Sequence, residues 1–178
     1  KIHLVGFSLG ALIAGHFASK HNDRLRSLII HGSIYKRTED QKRVVKNRFE
    51  VAKTNEPALR HTTIRRWLSE DFIKKNPGVY KKIYSNLEKN NLKDFLKCYE
   101  IFVNYIDDDN MLKKININTL ITAGENDLGS TPEMSRNLSK MIQGSKFVEI
   151  KRGKHLCGIE CADDVNITFK KFIDQHND

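Results

Sequence analysis

Five residues, Gly6-Phe7-Ser8-Leu9-Gly10, constrain this chain more than any others. An apolar run, Ile2-His3-Leu4-Val5, precedes them and reads as a buried strand; Ala11 to Ala18 follows and reads as a helix. A serine flanked by glycines between a strand and a helix is the context of a nucleophile elbow. The turn must be sharp enough to lift the serine oxygen above the sheet, which implies a strained serine backbone. Gly6 and Gly10, without Cβ atoms, are expected to let strand and helix approach there. The backbone N–H of Leu9 is expected to face the spot where an oxyanion forms.

A five-residue motif with three fixed positions also occurs by chance in ordinary β-α units, so its partners matter. A serine nucleophile needs a base to take its proton and a carboxylate to orient that base. On elbow-bearing sheets the chain order is Ser, acid, His. Asn118 to Gly124 is an apolar β pattern running into Glu125-Asn126-Asp127, and Lys146 to Ile150 alternates and runs into Arg152-Gly153-Lys154-His155. Loops leaving the carboxyl ends of parallel strands are where such sheets place their chemistry.

In these residues, His3 to Gly10, Thr119 to Asp127 with Thr131-Pro132, and Gly153-Lys154-His155-Leu156 with Glu160, the chain resembles the α/β-hydrolase superfamily. It resembles most the small esterase and lactonase branch that includes the 3-oxoadipate enol-lactone hydrolases. The resemblance implies Ser8 as nucleophile, Asp127 as acid and His155 as base. Glu125 is the rival acid on the same strand. Thr63 to Trp67 with Phe72, and Cys98-Tyr99 with Asp107, loosely resemble a cap of that branch. Trp67, Leu128 and Leu156 are candidate pocket residues. Ala11 stands where many members have a second glycine, and Lys154 where a glycine usually precedes the histidine. The implied activity is hydrolysis of a small-molecule carboxylic ester or lactone through an acyl-enzyme, with no cofactor and no metal. Acyl transfer, hydrolysis of a carbon–carbon bond, and a non-catalytic binding role on the same fold are the alternatives. A halide-displacing hydrolase is disfavoured, because a carboxylate is then expected in place of Ser8.

The superfamily has roughly half a sheet before its elbow strand, including a loop that gives a second oxyanion donor. This chain opens with Lys1 and enters that strand at once. The expectation is the carboxyl-terminal part of a longer protein, poorly active as given. The expected fold is α/β, with four parallel strands at about 2–7, 25–31, 118–124 and 146–150. Residues 1–32 and 107–178 would form the hydrolase core and 33–106 a helical cap. The elbow strand would then be an exposed apolar edge, prone to aggregation.

Within 33–106, Thr38 and Gln41 form a capping-box pattern opening a helix to about Lys53. Pro57 suits a helix start through about Glu70. Asn76-Pro77-Gly78 reads as a break, followed by helices over 79–90 and 92–105. In the last, Leu92, Phe95, Leu96, Tyr99, Phe102 and Val103 share one face. Asp107-Asp108-Asp109 reads as a solvated linker, since no ordered calcium-ligand spacing follows. Helices are expected over 131–142 and 162–176.

The formal net charge is +9, from 31 Lys and Arg against 22 Asp and Glu. The basic residues are spread along the chain and mixed with acidic ones, and no nucleic-acid-binding motif accompanies them, so no nucleic-acid partner is expected. Three cysteines, Cys98, Cys157 and Cys161, show no disulfide framework, and a reducing cytoplasm is the default. The Cys157/Cys161 pair lacks a second ligand pair at zinc-like spacing and reads as buried thiols. The apolar run Leu4–Ala18 is too short to span a membrane, and the elbow accounts for its glycines and serine better than a signal peptide does. No membrane partner is expected, and nothing in the sequence fixes an oligomeric state. His3 and His16 read as structural, and His31, at the end of a strand, as a weaker base candidate.

Overall fold

A computed structural model of the chain describes residues 1–54 and 57–177. Four strands, β1 (Ile2–Phe7), β2 (Leu25–His31), β3 (Asn118–Gly124) and β4 (Lys146–Ile150), form one sheet. All pairings are parallel and the order is β1-β2-β3-β4. Parallel sheets with helices on both faces require near-continuous apolar strands. β2 and β3 meet that demand: Leu28, Ile29, Ile121 and Ala123 are fully buried. Helix α1 (Leu9–Lys20) sets its small residues Ala11, Ala14 and Ala18 inward. Behind the sheet, Ile29 and Leu120 pack with Phe172 of α10 (Ala162–Asp174), and Ile150 packs with Val165 of the same helix. β1 is the edge, with Ile2, Val5 and Phe7 exposed.

The chain divides into two units, Lys1–Lys36 with Asp107–Asp178, and Arg37–Ile106. The first unit holds the sheet. Residues 33–36 belong to it because Ile34 and Tyr35 are buried, Tyr35 donates its hydroxyl to Asp109, and the Lys36 amide donates to Asp107. Asp107-Asp108-Asp109, expected as a solvated linker, keeps Asp108 exposed but is tied down by its carboxylates. Asp107 and Asp109 hold residues 35–36, and Asp108 caps α7 (Asp109–Leu112) through the Met111 amide.

The second unit contains, among the described residues, α2 (Glu39–Ala52), α3 (Pro57–Trp67), α4 (Glu70–Lys75), α5 (Pro77–Lys89) and α6 (Leu92–Val103). The Thr38/Gln41 capping box forms with both reciprocal bonds. The helix expected from Pro57 to Glu70 stops at Trp67 instead. Ser69 accepts the Phe72 amide and starts α4, whose first turn carries Glu70 and Asp71. The break expected at Asn76-Pro77-Gly78 falls at Asn76, between α4 and α5, and Pro77 already begins α5, a position where its missing N–H is harmless. Phe49 meets Tyr99 edge-on at 5.5 Å between α2 and α6, and His61 stacks on Tyr84 at 4.7 Å between α3 and α5. Arg37 lies over the Phe102 ring and donates to the carbonyls of Phe102 and Val103, capping the end of α6. No described helix is long and apolar enough to cross a membrane.

Candidate active site

The turn after β1 holds Ser8 at φ 55° and ψ −119°, a left-handed conformation that a residue with a Cβ adopts only under constraint. Two main-chain bonds impose it: the Ser8 amide donates to His31 O at 3.0 Å, and the Ala11 amide donates to Ser8 O at 3.0 Å. Gly6 makes the turn sterically feasible. A Cβ there would lie 2.4 Å from Gly10 O and 2.6 Å from Ala14 Cβ. Gly10 is different. A Cβ at Gly10 would meet nothing within 4 Å, so close approach depends on Gly6 alone.

Ser8 sits at the N-cap of α1, where a serine ordinarily accepts a first-turn amide. Its side chain makes no such bond. Its Oγ lies 3.1 Å from His155 Nε2 instead. Leu9 is the first residue of α1, so its N–H has no partner within the helix and lies at the end favoured by negative charge.

Asp127 leaves β3 in a turn and is buried to 3% exposure. Its Oδ1 accepts the amides of Gly129 and Ser130 at 2.8 and 3.0 Å, which fixes the carboxylate plane. Its Oδ2 faces His155 Nδ1 at 2.7 Å. The structure thus aligns Oδ2, imidazole and Ser8 Oγ. Thr131 caps α8 (Pro132–Ser139) through the Met134 amide, anchoring the acid loop from its far side. Glu125, the rival carboxylate, points elsewhere. It accepts the Arg152 amide at 2.8 Å and pairs with Lys151 at 3.0 Å, and these donors hold its carboxyl below the usual range.

His31 does not reach Ser8. It is buried at the end of β2, with Nδ1 2.7 Å from Thr122 Oγ1 and Nε2 3.6 Å from Cys157 Sγ. Burial and the neighbouring His155 lower its pKa from 6.5 to about 4, against a smaller opposing pull from Asp127. The Phe7 ring packs near both imidazoles, its centroid 5.3 Å from that of His31 and 4.9 Å from that of His155. Burial pushes the Cys157 thiol up to about 12, removing its thiolate character at neutral pH. Cys98, Cys157 and Cys161 are all free. Among the described residues, no group of three or more His, Cys, Asp or Glu is arranged to hold a metal. His3 contacts Ser27 and Asn177, and His16 contacts Met111.

Of the candidate pocket residues, Leu128 directly follows Asp127 and is 74% exposed. Leu156 follows His155 and is the N-cap residue of α9 (Cys157–Glu160). Trp67 ends α3 in the helical unit. The buried Cys157–His31–Thr122 chain was not anticipated, although a histidine closing an apolar parallel strand beside a threonine-bearing one was a visible signal.

Comparison with known proteins agrees with this architecture. The chain is 23% identical over 177 residues to the (E)-2-((N-methylformamido)methylene)succinate hydrolase of Acinetobacter baylyi, covering 97% of this chain and 65% of the relative. It is 22% identical over 183 residues to a pimeloyl-[acyl-carrier protein] methyl ester esterase of Neisseria meningitidis, covering 96% and 68% respectively. The enol-lactonase of Burkholderia xenovorans LB400 superposes with a TM-score of 0.83 at 24% identity, over 95% of this chain and 64% of that one. The chain therefore spans about two thirds of these proteins' lengths. At such identities the structural likeness speaks for the fold. The family defined by the alpha/beta hydrolase fold matches residues 1–160. With its parallel sheet and its serine elbow between β1 and α1, this chain belongs to the α/β-hydrolase-fold family.

Proposed function

We propose that the chain carries the nucleophile, base and acid of a serine hydrolase acting on a small-molecule carboxylic ester or lactone. The observation that carries the reading is the alignment of Ser8 Oγ, His155 and Asp127 at 3.1 and 2.7 Å. In that reading Ser8 Oγ attacks the acyl carbonyl while His155 Nε2 takes its proton. Asp127 holds the Nδ1–H tautomer and stabilises the imidazolium. The tetrahedral oxygen draws a hydrogen bond from the Leu9 N–H at the start of α1. His155 returns its proton to the leaving alcohol or enol, or to the ring-opened oxygen of a lactone. A water activated by His155 then releases the acid from Ser8. No cofactor is needed for any step. The names of the esterase and lactonase relatives support the substrate class, and the helical unit 37–106 is proposed as a cap. The three free thiols suit a reducing compartment such as the cytoplasm.

The test is covalent labelling with a fluorophosphonate, read by intact mass, on the chain and on Ser8→Ala. The expected outcome is one adduct, absent in the variant. Hydrolysis of a p-nitrophenyl ester by the chain, slow as it is expected to be, should be lost in Ser8→Ala. A folded chain that takes no label would sink the reading.

A further inference from the structure

Asp127 and His155 sit on different loops, one after β3 and one after β4, and a base works only if the two loops keep a fixed relation. Main-chain bonds join them at two points. The Glu125 amide donates to Ile150 O at 2.9 Å, and the Asn126 amide donates to Gly153 O at 2.8 Å. The seam is tight: a Cβ at Gly124 would stand 2.4 Å from Lys154 O and 2.5 Å from Gly153 O. Between these points the base loop makes its sharpest turn. Arg152 has φ 64°, left-handed and without the freedom of glycine. Such a residue persists only where its surroundings over-determine it.

Beside the base loop's own bond from the Gly153 amide to Ile150 O at 3.4 Å and a loose pair of Arg152 with Asp164 at 3.8 Å, its partners come from the acid loop. Glu125 Oε2 accepts the Arg152 amide at 2.8 Å, Glu125 Oε1 pairs with Lys151 Nζ at 3.0 Å, and Asn126 Nδ2 donates to Arg152 O at 3.2 Å. Both main-chain polar groups of Arg152 are thus satisfied by side chains of the two residues before Asp127.

We propose that Glu125 is a positioning residue for the base: its carboxylate holds the strained Arg152 turn and so sets His155 against Asp127. The proposal rests on the serine-hydrolase reading for its catalytic consequence, but not for its geometry. Glu125 acts through the main chain of the base loop and touches neither Ser8 nor the imidazole. The charge of Glu125 matters less than its acceptor. Its ion pair with Lys151 is solvent-exposed and contributes little; the bond to the Arg152 amide also lies at the surface, and what it supplies is a fixed direction for the turn, which water accepting from that amide does not impose.

The test compares Glu125→Ala with Glu125→Gln, which keeps an oxygen acceptor for the Arg152 amide. The first readout is independent of turnover. It is the downfield ¹H resonance of His155 Nδ1–H in its hydrogen bond to Asp127, assigned by its loss in His155→Gln. We expect the resonance in the unmodified chain and in Glu125→Gln, with solvent exchange at least about tenfold faster, or the signal lost, in Glu125→Ala. The second readout is hydrolysis of a p-nitrophenyl ester. There kcat should fall about tenfold in Glu125→Ala with KM within about twofold, and Glu125→Gln should recover kcat to within about threefold. An unchanged resonance in a folded Glu125→Ala overturns the role. So does equal damage in both variants, since the acceptor is then not what Glu125 supplies. Absence of the resonance from the unmodified chain overturns the Asp127–His155 pairing itself. Absence of ester turnover with the resonance behaving as expected overturns the hydrolase reading and leaves the clamp standing.

Discussion

At the scale of single residues, the elbow shows how a motif conceals unequal roles. Gly-x-Ser-x-Gly presents two glycines as equivalent, and the expectation that both permit close approach follows from that symmetry. The structure separates them. Gly6 is pressed against Gly10 O, Ala14 Cβ and Ala11 Cα, while Gly10 has open space where a Cβ would go. Which glycine faces the neighbouring helix depends on the turn's three-dimensional path, which five letters do not encode. Gly6→Ala should therefore destabilise the chain by about 1–3 kcal/mol or more, because backbone rather than a flexible side-chain end must yield. Gly10→Ala lies in the first turn of α1 and should be neutral or stabilising by up to about 1 kcal/mol. Urea denaturation of the two variants checks the contrast. Equal destabilisation would show that the motif's symmetry, and not the local packing, governs the site.

At the scale of elements, all four strands were legible: β1, β2 and β3 are apolar runs and β4 alternates, and each is ended by a turn. The order Ser, acid, His led to the three side chains that stand within hydrogen-bond distance. What was missed lies where polar side chains organise local structure. Ser69, followed by Glu70 and Asp71, is a start signal: the helix expected to about Glu70 ends at Trp67, and α4 opens beyond it as a helix not expected from the sequence. Asp107, Asp108 and Asp109 looked like solvated charge, yet each serves a backbone or side-chain partner. The end of β2 carries a consequence for stability. His31 packs against Thr122 of β3, Cys157 of α9, Phe7 of β1 and Phe169 of α10, with His155 and Asp127 the charged or titrating groups nearby. Its pKa is lowered from 6.5 to about 4 in the folded chain. The unfolded chain therefore binds this proton first as pH falls. The native state keeps full stability with respect to His31 above about pH 6.5 and loses it progressively toward pH 4, by about 3 kcal/mol in all. In His31→Gln, urea unfolding between pH 7 and 4.5 should show a correspondingly shallower pH dependence than in the unmodified chain. Parallel pH profiles would remove His31 as an acid-sensitive group.

At the scale of the whole molecule, the sheet ends on its most exposed apolar strand. Among the described residues β1 pairs with β2 alone, and Ile2, Val5 and Phe7 are 56%, 46% and 37% exposed. Natural sheets guard such an edge with lysine, proline, a bulge or a covering element, because its unpaired amides and carbonyls invite another strand. Here a register irregularity falls between Ile2 and His3, at the start of β1 only, and leaves Leu4 to Phe7 regular. The net charge of +9 opposes association at long range. That repulsion is screened beyond about 8 Å at physiological ionic strength, whereas strand pairing acts at contact. Salt should therefore release association of this chain. Light scattering at fixed concentration should rise as NaCl goes from about 20 to 500 mM, a range over which the Debye length shrinks about fivefold. Val5→Lys places a charge in the middle of the regular stretch and should suppress the rise without touching Ser8, His155 or Asp127. If scattering rises equally in Val5→Lys, the associating surface lies elsewhere than β1. If it does not rise at all in the unmodified chain, the β1 edge does not pair under these conditions.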